Sequence, residues 1–176
     1  ILQSCIGLSG WEIRNFKNKI MKILVINPGS TSTKLAVYDG NTNVWNTNIS
    51  HPAEELSCFQ HVNDQYDFRK KLIIKTLKEN GIGISFSAVI GRGGLLKPTS
   101  GGVYEINDRI IYDLKNSHME HASNLAAQIA YDISGMSGSG CKAYIADPVV
   151  TDELCDLARV SGIPELPRIS IFHALN

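Results

Sequence analysis

Met21-Lys22-Ile23-Leu24-Val25-Ile26-Asn27, then Pro28-Gly29-Ser30-Thr31-Ser32-Thr33-Lys34, then Leu35-Ala36-Val37-Tyr38-Asp39-Gly40-Asn41 is the stretch whose reading decides the fold. Lys22 to Asn27 is a short aliphatic run stopped by Pro-Gly, the pattern of a buried strand. Thr33 to Asp39 reads as a second strand, with Leu35, Val37 and Asp39 on one face. The Asp39-Gly40-Asn41 turn then leads into a third strand, Val44 to Ser50. Three short strands in succession predict an antiparallel meander.

Further along, Asp64 is placed to cap a helix whose apolar positions Phe68, Leu72, Ile73 and Leu77 recur at helical spacing, ending at Asn80-Gly81. Ser87 to Ile90 is a short buried strand, followed by a glycine-rich loop and the piece Val103 to Asn107. Helical patterns cover Asp108 to Lys115 and Ala122 to Ile133, the second with Leu125, Ile129 and Ile133 on one stripe. Gly135 to Gly140 reads as a flexible connection. Lys142 to Ala146 is another strand, and Thr151 to Ser161 a last helix with Asp152 and Glu153 in its first turn and Gly162 past its end. The order β-β-β-α-β-α-β-α predicts an α/β, ribonuclease H-like mixed sheet with helices packed on it, the architecture of the first lobe of sugar kinases and actin-like ATPases. It is not a Rossmann order.

The 176 residues allow one domain, or one and a fragment, at roughly 100 to 200 residues each. Seventeen Lys and Arg balance seventeen Asp and Glu, so no cationic field exists to hold nucleic acid or an anionic membrane. With 43% hydrophobic and 19% charged residues the chain has the composition of a globular protein. Cys5, Cys58, Cys141 and Cys155 form no C-x-x-C pair, which argues for reduced thiols and a cytoplasmic location. No apolar run approaches the roughly 18 residues needed to span a bilayer. Ile1 to Ile20 match no signal peptide, and Met21 reads as the natural start, with residues 1–20 lying upstream of it. Residues 21–165 are expected to form the lobe. Ile169 to Asn176 is apolar and patterned where natural domains usually fray, and residues 166–176 are expected to begin the connection to a second lobe.

Four places have the residue types that chemistry needs. Asn27 to Lys34 is a tight turn of small and hydroxylated residues, suited to surrounding phosphate oxygens with N–H groups and with the hydroxyls of Ser30 and Ser32. Lys34 adds positive charge and Asn27 an oxygen ligand for a metal, although the same residues also make an ordinary hairpin turn. Gly91-Arg92-Gly93-Gly94-Leu95-Leu96-Lys97-Pro98 follows a buried strand, where open α/β sheets place ligands, and Arg92 can grip a carboxylate or phosphate. A solvated glycine loop fits that stretch equally. Asp147-Pro148 ends the next strand and suits either a magnesium ligand or a turn. His118 and His121 have the spacing of helix-borne ligands, but nothing completes a zinc signature, and His121 reads as a polar pocket wall or an N-terminal capping residue. His173 suits either a phosphoryl contact or packing at a domain boundary.

Ile26 to Lys34, Gly91 to Pro98, His121-Ala122-Ser123-Asn124-Leu125, Ala146-Asp147-Pro148-Val149-Val150 and Ser170-Ile171-Phe172-His173-Ala174-Leu175-Asn176 together resemble, in order and spacing, the butyrate kinases of the acetate kinase family. The likeness runs from Met21 to Asn176. It implies reversible ATP-dependent phosphorylation of butyrate, or a similar short-chain carboxylate, with Mg2+ as cofactor and a homo-oligomer as the full-length form. Arg92 then resembles the substrate-gripping arginine, Asp147 the catalytic aspartate and a metal contact, and His173 the histidine at the transferred phosphoryl group. Phe172 would stand beside the acyl pocket. Asn27 resembles the residue near magnesium, with Ser30, Ser32 and Lys34 around the phosphates. His121 is similar to a second active-site histidine, with its local spacing offset by one residue. Family members continue into a second lobe, so this chain is expected to be inactive alone. A noncatalytic or split half, or a kinase for a related short or branched acid, is the competing expectation.

Overall fold

The computed structural model describes residues 21–171. The aliphatic run forms β1 (Lys22–Pro28), and the chain returns as β2 (Ser32–Asp39) and β3 (Thr42–Ser50). Both pairings are antiparallel, so the predicted meander is present. After β3 come one helical turn, α1 (Ala53–Leu56), and the long α2 (Tyr66–Glu79). Then follow β4 (Ala88–Arg92), β5 (Val103–Glu105), α3 (Asp108–Lys115), α4 (Leu125–Met136) and β6 (Lys142–Ala146). The six strands form one sheet in the order β3-β2-β1-β4-β6-β5. β4 runs parallel to β1 and to β6, while β5 lies antiparallel at the edge. This is the expected mixed sheet.

Alternation decides which face is covered. Leu24, Ile26, Leu35, Val37, Val89, Ala143 and Ile145 point to one side and are buried beneath Ile73 and Leu77 of α2 and Leu125, Ile129 and Ile133 of α4. Each fully buried aliphatic side chain contributes about 1.5–3 kcal/mol, so this layer dominates the stability of the lobe. Residues of the opposite parity, among them Asn27, Lys34, Asn48 and Arg92, are half-buried or exposed. Among the described residues no helix is long and apolar enough to cross a membrane.

Several boundaries differ from expectation. Asp64 does not cap α2 directly: it lies in a 3-10 turn, Val62–Gln65, where its carboxylate accepts from the His61 N–H at 3.0 Å. Ala122–Asn124 is likewise a 3-10 turn that precedes α4, and α4 runs on through Gly135 to Met136. β5 ends at Glu105 because Asn107 serves as the N-cap of α3, its Oδ1 accepting from the Ile110 N–H at 3.0 Å. The helix expected over Thr151 to Ser161 is absent. Thr151 instead bridges to Thr99, and only Asp156–Arg159 forms a 3-10 turn. The Asp152 carboxylate takes the Leu154 N–H at 3.2 Å and the Arg159 guanidinium at 2.9 Å, a local bonding that competes with helix. Leu157, 82% exposed, shows that no apolar stripe faces the core there.

Candidate active site

Strand register builds the site. Lys34 pairs with Asn27 across β1 and β2, and with Asn48 across β2 and β3. The β1 and β4 register ends on Ile26 and Gly91, so the next step brings Asn27 beside Arg92, which itself pairs with Ala146 of β6. Directly paired residues share a face. Asn48, Lys34, Asn27 and Arg92 therefore stand in one row on the face away from the helices, with a strand spacing of about 4.8 Å between neighbours. A concavity of about 410 Å³ runs along this row, lined by Val25, Asn27, Lys34, Ala36, Asn46, Asn48 and Arg92 among others.

The turn from Asn27 to Lys34 is held from behind. Arg69 of α2 is wholly buried, and its guanidinium donates to the Gly29 carbonyl at 2.8 Å, the Ser30 carbonyl at 3.0 Å and Thr33 Oγ1 at 3.2 Å. Gln65 Oε1 accepts from Arg69 Nε at 3.0 Å and from its Nη2 at 2.9 Å, fixing the plane of the fork. The His51 N–H donates to the Thr31 carbonyl at 2.8 Å. Thr33 Oγ1 and His51 Nε2 lie 2.8 Å apart and share a hydrogen bond, which ties the imidazole to the same hydroxyl that Arg69 grips. The other ring nitrogen, Nδ1, is buried and has no hydrogen-bond partner among the described residues. Burial, and then the positive charge of Arg69, push the His51 pKa down to about 4, so the ring is neutral near pH 7. Burial also lowers the pKa of Arg69 from its ordinary value.

Beyond Arg92 the chain must turn sharply off the sheet. Gly93 and Gly94 have φ of 94° and 117°, and a Cβ at Gly93 would stand 2.6 Å from that of Ser123. Asn124 pins the loop, its Oδ1 accepting from the buried Leu95 N–H at 2.9 Å and its Nδ2 donating to the Met119 carbonyl at 3.0 Å. Arg92 itself is exposed on the open face. Asp147 follows β6, is exposed, and among the described residues is the one non-glycine with left-handed backbone, φ 44°. Such conformations are uncommon and recur at functional sites.

His121 is the N-cap of the Ala122–Asn124 turn, with Nδ1 2.6 Å from Ser123 Oγ and accepting from the Ser123 N–H at 3.2 Å. It is half-buried and does not line the row. His118 lines a different concavity of about 400 Å³, walled by Leu95, Leu96, Met119, Val150 and Ile171. Phe172 and His173 lie outside the described residues. Sequence reasoning missed Arg69, His51, Asn48 and Asn124. Arg69 had left a signal, standing four and eight residues before the buried Ile73 and Leu77 and so on the core stripe of its helix.

No family model matches the chain. It is 56% identical over 156 residues to a probable butyrate kinase of Phocaeicola vulgatus and 53% identical over 156 residues to one of Bacteroides thetaiotaomicron. Over 157 residues it is 50% identical to butyrate kinase 2 of Clostridium acetobutylicum. These matches cover 88–89% of this chain but 44% of each relative, so the chain spans less than half the length of the curated relatives. Among solved structures it is similar to the acetate kinase of Porphyromonas gingivalis, at TM-score 0.56 and 13% identity, over 86% of this chain and 45% of that one. A propionate kinase of Francisella tularensis gives TM-score 0.52 and 12% identity, over 82% of this chain and 41% of that one. These two likenesses show the fold. Half or more of its residues being identical over nearly nine tenths of its length, the chain belongs to the butyrate kinase family and corresponds to the N-terminal portion of its members.

Proposed function

We propose that this chain carries the phosphate-turn and carboxylate half of an ATP-dependent carboxylate kinase, with butyrate or a similar short-chain acid as phosphoryl acceptor. The observation that carries the reading is the row of Asn27, Lys34 and Arg92 along the sheet face that none of the described helices covers, next to a turn rich in hydroxyls. A carboxylate is already ionised at neutral pH, so transfer needs no strong base. Its oxygen attacks the γ-phosphorus, the bond from that phosphorus to the bridging oxygen breaks, and ADP leaves with the electron pair. The obstacle is bringing two anions together, which cations and positioning relieve. Arg92 would hold the carboxylate, and Lys34 with the Ser30 and Ser32 hydroxyls would face the phosphates.

The donor set suits Mg2+, since Asn27 and Asp147 offer hard oxygens at the carboxyl ends of β1 and β6. No three His, Cys, Asp or Glu residues gather among the described residues, so a bound ion would take its other ligands from phosphate and water. Mg2+ supplies charge neutralisation on the phosphates when bound. The apolar concavity walled by Leu95, Leu96, Val150 and Ile171 begins on the loop that leaves Arg92, and suits the alkyl chain of the acid. The remaining length of the relatives would complete the nucleotide site, so turnover is assigned to the two parts together.

The test co-expresses this chain with the C-terminal part of the Phocaeicola vulgatus relative and traps acyl phosphate as its hydroxamate. Acetate, propionate, butyrate and branched acids are compared with ATP and Mg2+. Hydroxamate from the pair, strongest with a four-carbon acid, supports the reading. A well-folded pair that transfers to none of these acids refutes it.

A further inference from the structure

Arg69 is used by nothing in the chemistry above, yet among the described residues it is the largest wholly buried side chain and the only charged one of that set. Among the described residues its hydrogen-bond partners are backbone carbonyls, the Gln65 amide and the Thr33 hydroxyl, and none is a carboxylate. A buried cation offset only by neutral acceptors is costly to stability, and a hydrophobic residue would fit the core stripe of α2 better. The position of the guanidinium shows what the charge accomplishes. It lies on the inner side of the turn and fastens the carbonyls of Gly29 and Ser30. In a planar trans peptide the C=O and the following N–H point in opposite directions. Drawing those two carbonyls inward therefore aims the N–H groups of Ser30 and Thr31, both exposed residues, away from the guanidinium.

We propose that Arg69 is the positioning residue of the phosphate turn: by gripping its inner carbonyls it aims the Ser30 and Thr31 N–H groups at phosphate oxygens and sets a fixed positive charge behind them. The inference rests on reading the turn as a phosphate site. Two consecutive N–H groups turned the same way make an anion-binding concavity, and the field of the buried guanidinium adds to their dipoles. Gln65 serves the same end by holding the fork at two of its nitrogens. Lysine at position 69 would keep the charge but cannot bracket two carbonyls and an amide in one plane.

The experiment titrates the isotopically labelled 176-residue chain with inorganic triphosphate at fixed ionic strength and follows amide shifts by NMR. Wild type is expected to shift at Ser30 and Thr31. Arg69→Lys and Gln65→Leu are expected to bind about tenfold more weakly, a difference well within the range for loss of a preorganised anion site. Ile73→Val, which trims a wholly buried core side chain of the same helix, should lower the melting temperature and keep the wild-type affinity. If wild type itself shows no shift at the turn, the phosphate reading fails and this inference falls with it. Wild-type binding with unchanged affinity in Gln65→Leu and Arg69→Lys would overturn the role of Arg69 alone. Equal weakening in Ile73→Val would overturn it too, by showing an effect of stability rather than position. Should Arg69→Lys not fold, Gln65→Leu decides by the same criterion.

Discussion

Gly91→Ala tests the contact that sets the height of Arg92 above the helices. Gly91 lies in β4 immediately before Arg92, and a Cβ built there would stand 2.7 Å from both the carbonyl carbon and oxygen of Ala126, and 3.1 Å from its Cβ. Carbon atoms pack at about 3.5–4.0 Å, so strand and helix would have to part by about 1 Å. The obstacle is backbone of α4, which cannot swing aside. Nor can α4 withdraw, because Leu125, Ile129 and Ile133 anchor it in the core with no exposed surface. Overpacking of this kind costs about 1–3 kcal/mol, and the rigid neighbour argues for the upper end. Against it stands a gain of about 0.4–1 kcal/mol from a less flexible unfolded chain. The net expectation is a loss of about 2 kcal/mol, seen in urea as a midpoint about 1 M lower at ordinary slopes. Gly135→Ala, in the same helix with open space around it, should instead raise stability by about 0.5–1 kcal/mol. If Gly91→Ala unfolds at or above the wild-type midpoint while Gly135→Ala behaves as stated, the close approach of β4 and α4 is wrong.

His51 gives a pH dependence whose sign follows from its lowered pKa. The native ring resists protonation down to about pH 4, whereas the unfolded ring takes up a proton below its ordinary 6.5. Between those values the unfolded chain binds more protons, so stability should fall as pH drops through this window, by roughly 3 kcal/mol in all. His51→Gln should flatten that slope in denaturant titrations run across about pH 4 to pH 7, which brackets the window; an unaltered slope would contradict the burial of a neutral ring beside Arg69. Asn107→Ala removes the N-cap of α3 and should cost about 1 kcal/mol, measured by thermal unfolding, with a change near zero contradicting the cap.

The meander and its turn were legible because half-buried strands write their burial as alternation, and Leu35 and Val37 do so plainly. The stripe of Leu125, Ile129 and Ile133 was legible for the corresponding reason in helices, and all three proved wholly buried. Thr151 to Ser161 misled because acidic residues followed by glycine imitate the ends of a helix. What decided the matter was tertiary: the Asp152 carboxylate bonds locally, and nothing apolar lies opposite Leu157. Within the site, Asn27, Lys34 and Arg92 could be named as chemistry-bearing types, but their shared face depends on pairings between distant strands. Asn48 enters only through such a pairing. Asn124 lies in a stretch whose likeness was noted at His121, yet its hold on Leu95 depends on a contact 29 positions away in sequence.

The most direct test of the account is the Arg92→Ala variant in the two-part hydroxamate assay. Arg92 is exposed at the end of β4 and supports no core contact, so the variant should fold as wild type does. If the uncovered sheet face holds the reacting carboxylate, acyl phosphate formation should drop by about a hundredfold or more, the order expected for loss of one preorganised charge contact. Wild-type rates from a folded Arg92→Ala protein would contradict the account and move the reaction away from this face.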